Sequence, residues 1–254
     1  MNSLAIAMPV FNEADGIQRT LNDLDAALSN KSESPVIFIQ DDCSTDNTRE
    51  LVIECSKGLK SVVKLEINKK NQGHGPTVLR AYERAAESGS LVVMQLDSDG
   101  QFDPSELISL IEAVRGDADV AIGLRKSRSD PWYRKILTFS LKMFLTIRYR
   151  RSFKDPNSPV RAFKNEVLRD LLKHVPKSAL IPNIYLVVIA KQQSRSFKEI
   201  SISHRARNGT EQTGSTWASK SKIISTLRLM KFSFRAFREL ISFNCGLTRN
   251  GNLD

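Results

Sequence analysis

Short apolar runs alternate along the first half of the chain with stretches whose apolar residues recur every three or four positions. Leu4 to Val10 reads as a buried strand, and Ala14 to Ser29 as a helix with Leu21, Leu24 and Leu28 on one face. Val36 to Gln40 is a second strand, closed by the turn-rich stretch Asp41 to Asn47, and Thr48 to Cys55 is helical. The pattern then predicts strands at Val62 to Ile67, Leu91 to Leu96 and Asp119 to Ile122, with helices at Thr77 to Glu87 and Pro104 to Val114. Strand and helix in strict alternation, joined by short loops, predict an α/β fold: a mostly parallel sheet flanked by helices on both faces.

The pattern changes after Gly123. Segment 125–154 carries ten basic residues and one acid, Asp130, and between the charges stand Trp132, Tyr133, Ile136, Leu137, Phe139, Leu141, Met143, Phe144, Leu145 and Ile147. Lys220 to Phe243 is a second basic-apolar stretch, readable as one or two amphipathic helices. The chain accordingly divides into 1–125, a ligand-binding half; 126–210, a second half of the same domain; and 211–254, a helical segment and polar tail. The longest uncharged apolar stretch, Ser178 to Ala190, has 13 residues and includes Pro182, well short of the roughly 20 needed to span a bilayer.

Composition narrows the classes. Of 254 residues, 41% are hydrophobic and 26% charged, which excludes disordered and fibrous chains and gives room for a core without a disulfide or metal staple. The three cysteines, Cys43, Cys55 and Cys245, form no C-x-x-C pair, which points to a reducing compartment. No basic run precedes Leu4 to Met8, and that apolar run is too short for a signal-peptide core. The expected location is therefore the cytoplasm, with peripheral contact to the cytoplasmic membrane face. Lys and Arg number 38 against 28 Asp and Glu, and the resulting +10 favours anionic partners.

Chemistry collects where the strands end. Asp97-Ser98-Asp99 follows one predicted strand, Asp41-Asp42-Cys43-Ser44-Thr45-Asp46 a second, Met8 to Glu13 closes a third, and Asn71-Gln72-Gly73-His74-Gly75 follows a fourth. In an open parallel sheet, ligands sit beyond the carboxyl ends of the strands, so four polar loops fall on one edge. Two carboxylates two residues apart suit a hard cation such as Mg²⁺ or Mn²⁺, which fills its other positions with water and substrate phosphates. Each loop alone is also an ordinary turn, and the Asp41–Asn47 stretch doubles as a cap for the helix from Thr48. His74 and His204 read as hydrogen-bonded structural residues.

In order and spacing, five pieces resemble the family 2 glycosyltransferases of GT-A (Rossmann-like) fold, most of all the polyprenyl-phosphate sugar transferases of the dolichyl-phosphate mannose synthase type. They are Pro9-Val10-Phe11-Asn12-Glu13, Asp41 to Thr48, Asn71 to Gly75, Asp97 to Pro104 and Asp119 to Arg125; weaker matches run from Asp155 to Phe163 and Ile202 to Gly209. The resemblance implies that Pro9, Phe11, Glu13 and Asp41 or Asp42 line the base and ribose pocket, with Gly73 and Ser98 also at the nucleotide sugar. It implies that Asp97 and Asp99 hold the divalent metal with Gln101 nearby, and that Arg125, Arg161 and Arg207 surround phosphates. Guanidinium suits that role because it stays charged and grips phosphate oxygens bidentately. Phe11 replaces a common tyrosine, Pro76 stands where a small residue is usual, and the signatures of processive polymer synthases are absent.

The implied reaction is an inverting displacement at the anomeric carbon of a nucleotide-diphosphate sugar. A polyprenyl phosphate or membrane-associated glycan is the implied acceptor, and the basic-apolar segments are the expected contact with an anionic membrane. The same segments could instead form a core helix or a homodimer interface, leaving a soluble enzyme that acts on a saccharide or small-molecule hydroxyl. A nucleic-acid-binding protein is the third reading; no nucleic-acid motif supports it, and acidic loops would repel phosphate.

Overall fold

Alternate side chains of one central strand enter two different cores. The computed structural model describes residues 3–29, 34–125, 132–203 and 222–243. Strand β1 (Leu4–Val10) is buried throughout. Ala5 and Ala7 belong to one apolar cluster, while Leu4, Ile6, Met8 and Val10 belong to another, as the two-residue period of a strand requires.

The elements follow in the expected alternation: α1 (Ile17–Ser29), β2 (Val36–Asp41), α2 (Thr48–Ser56), β3 (Val62–Ile67), α3 (His74–Ala86), β4 (Val92–Gln95), α4 (Pro104–Arg115) and β5 (Val120–Arg125). The second half adds α5 (Trp132–Tyr149), β6 (Arg161–Lys164), α6 (Asn165–Leu172), α7 (Pro182–Gln192), β7 (Phe197–Ile202) and α8 (Lys222–Ser242). Seven strands form one sheet in the order β3-β2-β1-β4-β6-β5-β7. All neighbours run parallel except β6, which lies antiparallel between β4 and β5, so Ala162 faces Met94 on one side and Ala121 on the other.

Several boundaries differ from the sequence expectation for local reasons. Pro9 stands inside a central strand because the β4 ladder ends at Ala7–Gln95, and a missing N–H there interrupts no pairing. Helix α3 begins at His74 rather than Thr77: Gly73 turns the chain at φ 89°, and Pro76 fits the first helical turn, where its N–H is not needed. Helix α1 starts at Ile17, after a turn in which Gly16 donates to the Glu13 carbonyl. The uncharged stretch noted at Ser178 to Ala190 becomes α7, whose residues 182–190 are all buried; a helix apolar all round belongs in a core. Helix α5 has two apolar faces, with Leu145 and Tyr149 in the core and Ile136, Phe139, Met143 and Ile147 outside it.

Gly75 sets how closely the second half approaches the first. A Cβ built there would lie 2.4 Å from the Ala179 carbonyl oxygen and 2.5 Å from that of Leu180. Backbone cannot swing aside as a side chain can, so Gly75→Ala is expected to cost on the order of 1–3 kcal/mol in denaturant unfolding. Gly58→Ala is the control: its Cβ would meet only the Cys55 carbonyl oxygen at 3.9 Å, and stability should hold.

Candidate active site

Hydrogen bonds tie the loops beyond the carboxyl ends of β1, β2, β3 and β4 together. Asn12 donates from its backbone to Ser44 Oγ at 3.0 Å and accepts from the Thr45 backbone at 2.8 Å. Glu13 donates from its backbone to Thr48 Oγ1 at 2.8 Å, so the β1 loop lies on the β2 loop. Thr20 of α1 donates to the Ser98 carbonyl at 3.1 Å, which brings in the β4 loop. Each loop holds one residue with left-handed backbone: Asn12 at φ 50°, Cys43 at 63°, Gly73 at 89° and Gly100 at 67°. Such conformations are uncommon outside glycine and concentrate at ligand sites, where the surroundings hold them in place.

The acidic residues divide into two pairs with different duties. Asp41 is fully enclosed; its carboxylate accepts from the Ser44 backbone and hydroxyl and from Arg49 Nε at 2.8 Å. Asp42, 3% exposed, accepts from Asn68 Nδ2 and from the backbones of Gln72 and Gly73, each at 2.8 Å. The resemblance puts Asp41 or Asp42 at the base and ribose; in the structure their oxygens hold the β2 and β3 loops. Asn68, which no sequence motif singles out, is the hinge of that arrangement, since it also joins Gln40 and Thr77.

Asp97 and Asp99 are different. Both keep solvent access at the end of β4, where Asp97 Oδ1 accepts from Gln95 Nε2 at 3.0 Å and Asp99 Oδ1 from the Gln101 backbone at 3.3 Å. Among the described residues no cluster of three or more His, Cys, Asp or Glu is placed to hold a metal. Two accessible carboxylates are nonetheless the donor set that Mg²⁺ takes from a protein when substrate phosphates complete its shell. Ser98 between them is buried, and Gln101 is half-buried. Of the expected pocket residues, Pro9 and Glu13 are buried and Phe11 is half-buried.

The arginines separate too. Arg125 holds Asp155 in a fork, at 2.9 Å from Nε and 3.0 Å from Nη2, and is partnered rather than spread on a solvated face. Arg161 is fully buried, and it donates to the carbonyls of Asn183 at 2.6 Å, of Ser158 and of Pro156. Its Nε finds no partner among the described residues, and burial lowers its pKa from the ordinary value. The structure thus has Arg161 fastening the 156–158 loop and the start of α7, with its side chain enclosed. Arg207 and His204 lie outside the described residues.

Two site residues outside the strand-end motifs carry a signal legible in the sequence. Gln40 and Gln95 each stand at the end of an otherwise apolar run and are fully buried, a position where a primary amide must have partners. Tyr82 and Asn183 carry none, because their partners are 13 to 101 residues away in sequence.

The Arg161 geometry yields a prediction. Lysine keeps a charge but has no planar fork to reach three carbonyls, so Arg161→Lys should lower unfolding free energy by on the order of 2 kcal/mol or more. A denaturant titration checks this, and an unchanged midpoint would contradict the anchoring role.

Comparison with known proteins agrees with the fold. The 4-deoxy-4-formamido-L-arabinose undecaprenyl-phosphate transferase of Serratia proteamaculans is 25% identical over 207 residues, and that of Edwardsiella ictaluri 26% over 208. These alignments cover 82% of this chain and 61% and 62% of the relatives, so the chain spans about three-fifths of their length. Glucosyl-3-phosphoglycerate synthase of Mycobacterium tuberculosis, solved with Mn²⁺, UDP-glucose and phosphoglyceric acid, superposes with a TM-score of 0.64 at 15% identity, covering 97% of this chain and 81% of that one. A mannosyltransferase of Pyrobaculum calidifontis, solved with GDP-mannose and Mn²⁺, gives 0.60 at 12% identity over 95% of this chain and 65% of that one. The model of glycosyl transferase family 2 matches residues 5–175, two-thirds of the sequence and every strand-end loop described above, and the chain belongs to that family.

Proposed function

We propose that this chain transfers a sugar from a nucleotide-diphosphate sugar to a polyprenyl phosphate at an anionic membrane surface. The observation that carries the transfer is the contrast within the acids: Asp41 and Asp42 are consumed by the scaffold, while Asp97 and Asp99 stay accessible at a strand end. Asp97 and Asp99, with Gln101 nearby, would hold Mg²⁺ or Mn²⁺, and the ion would supply neutralisation of the charge that builds on a departing nucleoside diphosphate. The solved neighbours with Mn²⁺ beside UDP-glucose or GDP-mannose support this reading.

The chain's own residues would do the rest. Phe11 and Glu13, on the loop pinned by Ser44, Thr45 and Thr48, would flank the base and ribose, with Gly73 letting backbone come close. Arg125, braced by Asp155, and Arg207 would face phosphates. An acceptor phosphate is already anionic, so its oxygen can attack the anomeric carbon without a side-chain base. The new C–O bond forms as the bond to the diphosphate breaks, the electron pair leaves with the nucleoside diphosphate, and the configuration inverts.

The membrane half of the proposal rests on two helices with two apolar faces each. On α5, Leu145 and Tyr149 pack inward, while Ile136, Phe139, Met143 and Ile147 form an outward stripe; Phe139 is 63% and Ile147 70% exposed. On α8, Ala236 and Leu240 pack inward, with Phe243 just beyond its end, while Met230, Phe234 and Ile241 form a second stripe at helical spacing. The helices touch through Phe144 and Phe237, ring centroids 4.7 Å apart. Phe144 is thus a contact between helices rather than part of the outer face. Lys135, Lys142, Arg148, Lys231, Arg235 and Arg238 interleave, and the one acid of α8, Glu239, is bound to the Leu180 backbone and the Tyr185 hydroxyl. No described helix is long and apolar enough to cross a bilayer, so contact through these helices would be interfacial. The undecaprenyl-phosphate relatives support a lipid acceptor; the neighbour solved with phosphoglyceric acid supports the second reading, a small soluble one.

Two outcomes are expected. Asp97→Ala and Asp99→Ala should each lower turnover of a nucleotide sugar by at least on the order of a hundredfold, and excess chelator should abolish it; full activity in chelator overturns the metal role. The protein should sediment with anionic but not neutral vesicles at low salt, because each basic residue near such a surface contributes about 1 kcal/mol that salt screens. Phe139, Ile147 and Phe234 changed together to serine should abolish sedimentation, and wild type left in the supernatant with every lipid would favour the soluble acceptor.

A further inference from the structure

The accessible carboxylate of Asp97 is aimed by a buried chain of amides. Gln95, the last residue of β4, is fully enclosed, and a primary amide in that position is costly unless both ends are hydrogen-bonded. Its Nε2 donates to Asp97 Oδ1 at 3.0 Å, and its Oε1 accepts from Asn183 Nδ2 at 3.3 Å. Asn183 Oδ1 in turn accepts from the Tyr82 hydroxyl at 2.9 Å, which also lies 3.4 Å from Gln95 Oε1. Among the described residues, no other group donates to Asp97.

The direction of every bond in this chain is fixed by chemistry. A carboxylate only accepts, so Gln95 must turn its NH₂ to Asp97 and its carbonyl inward. That carbonyl needs a donor, which turns the Asn183 NH₂ toward it and leaves the Asn183 carbonyl for the Tyr82 hydroxyl. Burial pushes the Tyr82 hydroxyl pKa up, so it keeps its proton and donates. Three donors therefore point the same way and end on one carboxylate oxygen, an arrangement in which each bond strengthens the next. The far end is rigid, because Asn183 lies in the first turn of α7 and its carbonyl is held by Arg161 at 2.6 Å.

We propose that Gln95 is a positioning residue for Asp97, aimed by Asn183 and Tyr82, and that it fixes the carboxylate in the orientation a divalent cation needs. The proposal rests on the metal role given above to Asp97. It goes beyond that role by assigning cation affinity to three buried residues that touch neither cation nor substrate. Ligand carboxylates whose hydrogen-bonding partners are removed typically lose about 10- to 100-fold in metal affinity, which sets the expected scale.

The test is Mn²⁺ titration of the full chain, followed by the paramagnetic signal of the free ion, with UDP present and again with GDP. Gln95→Met keeps the volume and removes the amide; it should weaken Mn²⁺ binding by about 10- to 100-fold while the melting curve stays cooperative. Asn183→Leu and Tyr82→Phe, which leave the Gln95 amide but not its aim, should give progressively smaller losses. A residue that merely fills space would change melting temperature without this order in Mn²⁺ affinity. Wild-type affinity in folded Gln95→Met overturns the proposal; if that variant does not fold, wild-type affinity in both folded Asn183→Leu and Tyr82→Phe overturns it equally. Asp97→Ala separates the two claims. Should it bind Mn²⁺ like wild type, the metal role itself fails, whereas loss in Asp97→Ala beside wild-type binding in Gln95→Met defeats the positioning role alone.

Discussion

A buried cation ties together the second half of this molecule. Arg161 opens β6, the antiparallel strand between β4 and β5, and its side chain reaches the 156–158 loop on one side and the first turn of α7 on the other. Removing a guanidinium from water is costly, and among the described residues no carboxylate touches this one; carbonyl oxygens do the solvating instead. Asp97 and Asp155 lie near enough to favour its charge, and burial opposes them. The position of α7, of the loop that braces Arg125, and of the amide chain behind Asp97 all follow from where that guanidinium is held.

The strand-end loops show how acids serve a site in opposite ways. A carboxylate saturated with backbone N–H donors is a fixed piece of architecture, as Asp42 is for Gln72 and Gly73. A carboxylate with one donor and solvent beyond it, as Asp97 is, remains available to a cation. Asp46 belongs to the first kind: it accepts from the Thr48 backbone at 3.1 Å and from its hydroxyl, capping α2 where Asn47 makes no cap bond. The same division of labour recurs on a larger scale in α5 and α8, where one face completes the core and the other stays outside it.

Much of this was determined by the sequence alone. The two-residue and 3.6-residue periods located β1 to β5 and α1 to α4 within a few residues, because each of those elements buries a face through contacts with near neighbours. The strand-end motifs located the accessible pair Asp97 and Asp99, since a parallel sheet places such loops on one edge whatever else the chain does. What the tertiary structure decided was how each polar group is spent. Asp41, Asp42 and Arg161 look like open ligands as letters, and packing closes them. Gln95, Tyr82 and Asn183 come together from β4, α3 and α7, and the partners of a buried amide are set by which distant elements the sheet order brings beside it. Hydrophobic periodicity is a local property of the chain, whereas the hydrogen-bond partners of buried polar groups are not.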